Sequence, residues 1–398
     1  MRILSLYAAV IAVCLMLLQG CTKEEKLNQS PNSSQSKSTN GLRKTGTAAD
    51  VSARLASLRS SLSLPEHNLN THVSNLLQQH PEYKSVVLQA LKAPGAPVCN
   101  SNTPIRQWLN EQLSDWDENT IFFASITGML DFPTYDALLF ENSEAGQTFG
   151  INGEYTHVLT KTFKDLKRFW DIQSADIIMV AMHGNMLLDR DRIIRIDMIL
   201  YGDSQTDAEF WADLIISLMN DVPQYRKGDH PIFTFNAFAQ SSFDFPPYGT
   251  IPSKIVMGDG ILDGYTGIGY GDVAPQAVLA HEFGHHIQFQ LNLYPSTSSP
   301  ENTRKMELMA DAFSAYYLSH ARGASMQWKR VKQFLQVFFN IGDCGFTNVN
   351  HHGTPTQRMA SAEWAYQVAD NAQKQGHILS SSEFVSLFLA AYPSILAH

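Results

Sequence analysis

The stretch VLAHEFGHHIQFQLN, residues 278–292, carries the strongest structural signal in the chain. Its apolar residues recur every four positions, which predicts a helix with one apolar stripe formed by Leu279, Phe283, Ile287 and Leu291. Polar residues fall on the opposite side: His281, His285, Gln288 and Asn292. We expect Asp272 to cap this helix, Pro275 to lie in its first turn, and Pro295 to end it near Tyr294.

The two histidines of this face have the spacing of metal ligands. His281 and His285 are one helical turn apart, so both imidazoles can reach one ion at ~2.0–2.1 Å. Glu282 is offset by about 100° and points beside that ion, where a carboxylate can take a proton from a zinc-activated water. His286 is equally offset, so we interpret it as a packing or hydrogen-bonding residue. The alternative for the whole pattern is an ordinary amphipathic helix whose polar side chains bind no metal.

A third ligand is offered by the segment RKMELMADAFSAYYLSHARG, residues 304–323, in which Glu307 and Asp311 are again one turn apart. The loop PSTSSP, residues 295–300, reverses the chain before it. The helical arms on either side match within about 3 Å at ~1.5 Å per residue, so a helical hairpin can bring Glu307 level with His285. The sequence therefore predicts Zn²⁺ held by His281, His285 and Glu307, with Asp311 accepting a hydrogen bond from a ligand histidine.

Two further histidines, His351 and His352, precede a predicted helix that Thr354 caps and Pro355 begins. An imidazole in this loop could face the metal and stabilise the negative charge that develops during hydrolysis. We take His352 as the second catalytic candidate beside Glu282; the alternative is a histidine on a surface loop.

The order His-Glu-x-x-His and then Glu-x-x-x-Asp resembles the gluzincin group of zincin metallopeptidases. Together with HGTPTQR, residues 352–358, it resembles the bacterial putative neutral zinc metallopeptidases over about residues 251–365. The resemblance implies a zincin-like domain, Zn²⁺ as the cofactor and hydrolysis of peptide bonds in a peptide or protein substrate.

The patterns along the rest of the chain predict an α+β fold. Residues 49–145 have mostly helical spacing, and residues 146–398 mix helices with strands and form the predicted peptidase domain. Strands are predicted in ADIIMVAMHG (175–184), RIIRIDMILYG (192–202), PIFTFNAFA (231–239) and SKIVMGDGIL (253–262). Because the last of these directly precedes the histidine helix, we expect it to border the cleft and pair with an extended substrate.

The composition excludes a nucleic-acid partner. The chain has 398 residues, 44% of them hydrophobic, and a formal net charge of −9 without a long basic cluster. Binding to a phosphate backbone needs a concentrated basic surface. The sequence carries no signal for an oligomeric state.

The first segment predicts export. Residues 1–20 combine a positive start with an apolar run, as in a signal peptide, and the following Cys21 resembles the lipidated cysteine of bacterial lipoproteins. A retained membrane anchor is the alternative. Residues 21–48 are polar and predict a flexible tether. We therefore expect a lipid anchor at Cys21 in the bacterial cell envelope, at the outer membrane, where exposure on the cell surface is a further option.

Cys99 and Cys344 then remain for the folded part, either as a disulfide or as two separate thiols. The function that these features favour is an exported, zinc-dependent metallopeptidase. The alternative is a surface binding or assembly lipoprotein that retains a zincin fold without proteolytic activity. Intact Glu282 argues against the alternative, because a structural zinc needs no base.

Overall fold

The computed structural model describes residues 48–61, 103–295, 299–341 and 352–398. The predictions for the signal peptide, Cys21, the tether, Cys99, Cys344 and His351 lie outside these residues. The described chain combines many helices with a small sheet, which confirms the α+β class.

Thirteen α-helices are present in the described residues. They include the predicted histidine helix, the predicted helix with Glu307 and the predicted helix that begins at Pro355. They are α1 (Ala48–Ser61), α2 (Pro104–Gln112), α3 (Glu118–Ile126), α4 (Phe132–Leu139), α5 (Thr156–Phe169), α6 (Arg190–Ile196), α7 (Gln205–Asp221), α8 (Asp259–Gly267), α9 (Ala274–Gln290), α10 (Pro300–Ser319), α11 (Trp328–Ile341), α12 (Pro355–Gln375) and α13 (Ser381–Leu396). None of the helices in this part of the chain combines the length and apolar character needed to span a bilayer.

The helices and strands belong to two compact units. One contains the described residues 48–61, 115–129 and 185–228, and it is helical. The other contains the described parts of 77–114, 130–184 and 229–398, and it holds the sheet and all the predicted metal-site residues.

The sheet of the second unit has three strands: β1 (Ile178–Met182), β2 (Ala237–Gln240) and β5 (Lys254–Gly258). They lie in the order β1, β5, β2. A separate two-stranded hairpin consists of β3 (Phe243–Asp244) and β4 (Thr250–Ile251). Strand β5 runs parallel to β1, with Ile178 opposite Lys254, and antiparallel to β2, with Gln240 opposite the same residue. The sheet is therefore mixed.

The central place of β5 shows that one prediction was wrong. The segment SKIVMGDGIL does contain a strand, but it is paired on both sides and all five of its residues are buried. Its main-chain groups bond to β1 and β2, so it offers no free edge to a substrate. A strand pattern identifies a strand without revealing whether its neighbours cover one edge or two.

The strand predicted for RIIRIDMILYG is also wrong. This segment forms helix α6, with Asp189 at its N-cap accepting from the backbone N–H groups of Asp191 and Arg192, and continues into a π-helical turn over Asp197–Tyr201. Its apolar residues satisfy a helical spacing as well as alternation, so short apolar runs of this kind are ambiguous. The segment PIFTFNAFA is a strand only over Ala237–Gln240, since Pro231–Thr234 forms a 3₁₀ turn.

Helix α9 is the predicted histidine helix, with different ends. Val273 rather than Asp272 is its N-cap, and the Asp272 carboxylate pairs instead with Arg330 at 2.9 Å. The helix ends at Gln290, because Asn292 adopts a left-handed backbone with φ of 52°.

The side of α9 that carries the histidines is as deeply buried as its apolar stripe, which differs from the amphipathic expectation. Helix α10 packs against α9, so the polar side chains find partners in each other rather than in water. On the sheet side, His286 hydrogen-bonds the Lys254 carbonyl at 3.0 Å, and burial lowers the pKa of His286 to about 4. This confirms His286 as a hydrogen-bonding residue that ties the helix to β5.

The predicted helical hairpin is confirmed by the close contact between α9 and α10. A Cβ atom added at Gly284 would lie 3.2 Å from the Cα atom of Ala310 and 3.2 Å from the Cβ atom of Phe313. The Ser314 hydroxyl donates across the same interface to the Ala277 carbonyl at 2.8 Å. The glycine between the two histidines therefore lets the helices that carry the candidate ligands approach.

We expect Gly284→Val to lower the free energy of unfolding by about 1–3 kcal/mol, because the added atoms overpack the helix crossing. Urea unfolding of the purified variant measures this loss. The control is Gln276→Val, which introduces the same β-branched residue on the same helix at a partly exposed position. Equal losses in both variants would contradict the tight crossing.

Candidate metal centre

Three of the predicted ligands form a compact buried cluster. His281 and His285 come from α9 and Glu307 comes from α10, and one potential ligand atom from each lies within 4.8 Å of the others. The Nε2 atom of His281 is 3.4 Å from Glu307 Oε2, and the Nε2 atom of His285 is 3.8 Å from Glu307 Oε1. Within the described residues, no other group of three His, Cys, Asp or Glu side chains is placed to hold a metal.

Ligand bonds of ~2.0–2.2 Å in a tetrahedral site place neighbouring ligand atoms about 3.3–3.6 Å apart. The 3.4 Å between His281 Nε2 and Glu307 Oε2 falls in this range, while His285 Nε2 lies 3.8 Å from the other carboxylate oxygen. Two imidazole nitrogens and one carboxylate oxygen are a donor set that zinc accepts, and three protein ligands leave a fourth position for water or substrate. The residues therefore fit zinc.

The far nitrogen of His281 is held by Asp311, as predicted. Its Nδ1 atom lies 2.9 Å from Asp311 Oδ1, and both side chains are buried. Burial alone lowers the pKa of His281, but the hydrogen bonds to Asp311 and Glu307 raise it to about 9. The carboxylates around this imidazole thus favour a positive charge at its position.

Arg358 completes the network and was missed as a site residue in the sequence. Its Nε donates to Asp311 Oδ2 at 2.7 Å and one terminal nitrogen donates to Oδ1 at 2.6 Å, while the other lies 3.8 Å from Glu307 Oε2. Burial opposes its charge, but the two carboxylates outweigh burial and raise the pKa of Arg358. The available signal was its place at the end of HGTPTQR.

The formal charges of the buried cluster suit a divalent cation. Glu282, Glu307 and Asp311 contribute three negative charges and Arg358 one positive charge, and all four are buried. With both histidines neutral the sum is −2, opposite to the charge of a divalent metal ion.

The far nitrogen of His285 is held differently. Its Nδ1 atom lies 2.9 Å from Gln288 Oε1 and 2.9 Å from the hydroxyl of Tyr294. Gln288 in turn donates from its Nε2 to the Met306 carbonyl at 2.7 Å. Sequence reasoning placed Gln288 on the histidine face but assigned it no role.

Glu282, the candidate base, is buried with 6% of its surface exposed, beside the two candidate ligand histidines on α9. Its charge contributes to the raised pKa of His281. The structure therefore brings the candidate base and the three candidate ligands into one buried region.

His352 also lies at this cluster. Its Nδ1 atom is 3.1 Å from Glu307 Oε2, and 22% of its side chain is exposed. The predicted start of α12 is confirmed, because the Thr354 hydroxyl accepts from the Gln357 backbone N–H at 3.1 Å. The catalytic role of His352 stays a prediction.

Comparison of the chain with protein-family models, with curated proteins and with solved structures found no match.

Proposed function

We propose that this protein is a zinc-dependent metallopeptidase with a zincin-like domain. The observation that carries the proposal is the buried cluster of His281, His285 and Glu307, with the Glu282 carboxylate on the same helix as the histidines. The resemblance of the two helical motifs to gluzincins supports the same conclusion.

The proposed reaction is hydrolysis of a peptide bond by water. His281, His285 and Glu307 would hold Zn²⁺, which when bound lowers the pKa of its water toward ~7 and polarises a carbonyl. Glu282 orients the water, accepts its proton as it attacks and passes that proton to the leaving amine.

Other residues support this chemistry. Asp311, anchored by Arg358, accepts from His281 Nδ1 and leaves Nε2 free to bind the metal. His352, partly exposed beside Glu307, can donate to the substrate oxygen that gains negative charge. We further propose that the enzyme works in the cell envelope, anchored through a lipid on Cys21.

The proposal is tested on the purified full-length chain by metal analysis and by mass spectrometry of a mixed peptide library after incubation. We expect about one zinc per chain and cleavage that a chelator abolishes and added zinc restores. A protein that binds zinc but cleaves no peptide would contradict the peptidase and favour the binding lipoprotein.

We expect Glu307→Ala to remove most of the zinc, because two histidines alone cannot complete the site. Asp311→Asn should weaken zinc affinity by about 10–100-fold, since an amide oxygen is a weaker acceptor for His281. The control is Glu301→Ala, the same substitution at an exposed position in the first turn of α10. Full zinc occupancy in Glu307→Ala would identify Glu307 as the wrong third ligand.

A further inference from the structure

The two candidate ligand histidines differ in what holds the nitrogen that faces away from the cluster. For His281 the nearest partner is the Asp311 carboxylate, at 2.9 Å, which only accepts, and an Arg358 nitrogen lies farther away at 3.5 Å. For His285 the partners are the Gln288 amide and the Tyr294 hydroxyl. A neutral imidazole carries its proton on one nitrogen, and only the other nitrogen can bind a metal. The partner of Nδ1 therefore decides whether His285 Nε2 is available.

The orientation of the Gln288 amide follows from its contact with Met306. The Met306 carbonyl can only accept a hydrogen bond, so the NH₂ end of Gln288 must face it, at 2.7 Å. The oxygen end then faces His285 Nδ1, at 2.9 Å. Gln288 is fully buried, so both ends of its amide are shielded from bulk solvent.

This orientation selects one form of His285. An amide oxygen cannot donate, so the short contact is a hydrogen bond only when Nδ1 carries the proton. Nε2 is then unprotonated and directed toward Glu307, 3.8 Å away. The Tyr294 hydroxyl can donate or accept, so it favours neither form.

The same amide joins the two ligand-bearing helices. Gln288 lies three residues after His285 on α9, and Met306 directly precedes Glu307 on α10. One side chain thus connects two candidate ligands that come from different helices.

Resting on the proposed zinc site, we propose that Gln288 is a positioning residue that selects the metal-binding tautomer of His285 and holds it in register with Glu307. Without the amide, Nδ1 keeps its contact with Tyr294, whose hydroxyl can bond either tautomer, so this contact does not select the tautomer that binds metal.

Gln288→Met, which keeps the length of the side chain but loses both hydrogen bonds, should bind zinc about 10–100-fold more weakly than the unaltered protein. The measurement is competition for zinc against a chelator of known affinity. Gln290→Met is the matched control, because Gln290 also bridges from α9 to backbone, at Gln173, but contacts no ligand histidine. Tyr294→Phe should lose less zinc affinity than Gln288→Met, because the lost hydroxyl favours neither tautomer of His285.

Two further readouts separate positioning from a purely structural role. Gln288→Glu keeps an acceptor for His285 Nδ1 but loses the donor to Met306, so we expect it to restore most of the zinc affinity. The visible spectrum of the cobalt-substituted protein should change in Gln288→Met and stay unchanged in Gln290→Met, because it reports the ligands directly.

Unaltered affinity in Gln288→Met, or an equal or larger loss in Tyr294→Phe, would overturn the inference while leaving the zinc site intact. If Gln288→Met does not fold, Gln288→Glu decides, since a 10–100-fold loss there would show that the acceptor is not what matters. A native chain that takes up no zinc would overturn the proposed function and the inference with it.

Discussion

Glu282→Gln should lower the rate of peptide hydrolysis by about 10²–10⁴-fold while zinc content and stability stay unchanged. Glutamine has nearly the size of glutamate and still forms hydrogen bonds, but an amide cannot accept the proton of the attacking water. The expectation rests on the position of Glu282, which is buried beside the candidate ligand histidines on the same helix. Only the rate of the chemical step should fall.

Initial rates on one cleaved peptide measure the effect, with zinc content and melting temperature as controls. A matched variant is Glu363→Gln, the same change at an exposed position of α12, which should retain full activity. Undiminished cleavage by Glu282→Gln would remove Glu282 from the mechanism.

Arg358→Met should lower the free energy of unfolding by about 3–5 kcal/mol, because it leaves the buried Asp311 carboxylate without its counter-charge. Methionine replaces the length of the arginine stem but donates no hydrogen bond. Asp311 keeps only its hydrogen bond to His281, which is not enough to offset the cost of burying the carboxylate charge.

Urea unfolding measures this loss, and Arg330→Met is the control. Arg330 pairs with Asp272 at 2.9 Å, but both side chains are substantially exposed, so its loss should cost less than about 1 kcal/mol. Similar losses in the two variants would show that Arg358 does not compensate buried charge.

The sequence predicted the helical hairpin well because its signals are local. The four-residue spacing of His281 and His285, the loop at 295–300 and the spacing of Glu307 and Asp311 all lie within one continuous stretch. Helix period and chain reversal depend on neighbours in the chain, so these elements follow from the sequence alone.

The errors arose where local signals were ambiguous. Residues 192–202 satisfy both a strand and a helix pattern, and packing selected the helix. The N-cap of α9 is Val273 rather than Asp272, and the Asp272 carboxylate pairs with Arg330, a residue 58 positions later that the local pattern does not reveal.

By itself the sequence determined the helix that carries two histidines and a glutamate, the second helix with its carboxylates, and the order in which they follow. Only the tertiary structure decided that β5 lies between two strands, that Gln288 reaches Met306, and that Arg358 neutralises Asp311. Arg358 lies 47 residues beyond Asp311, and no periodicity connects positions that far apart. Their contact arises because burying three carboxylates together requires a nearby positive charge, and the packing of α12 against α10 supplies it.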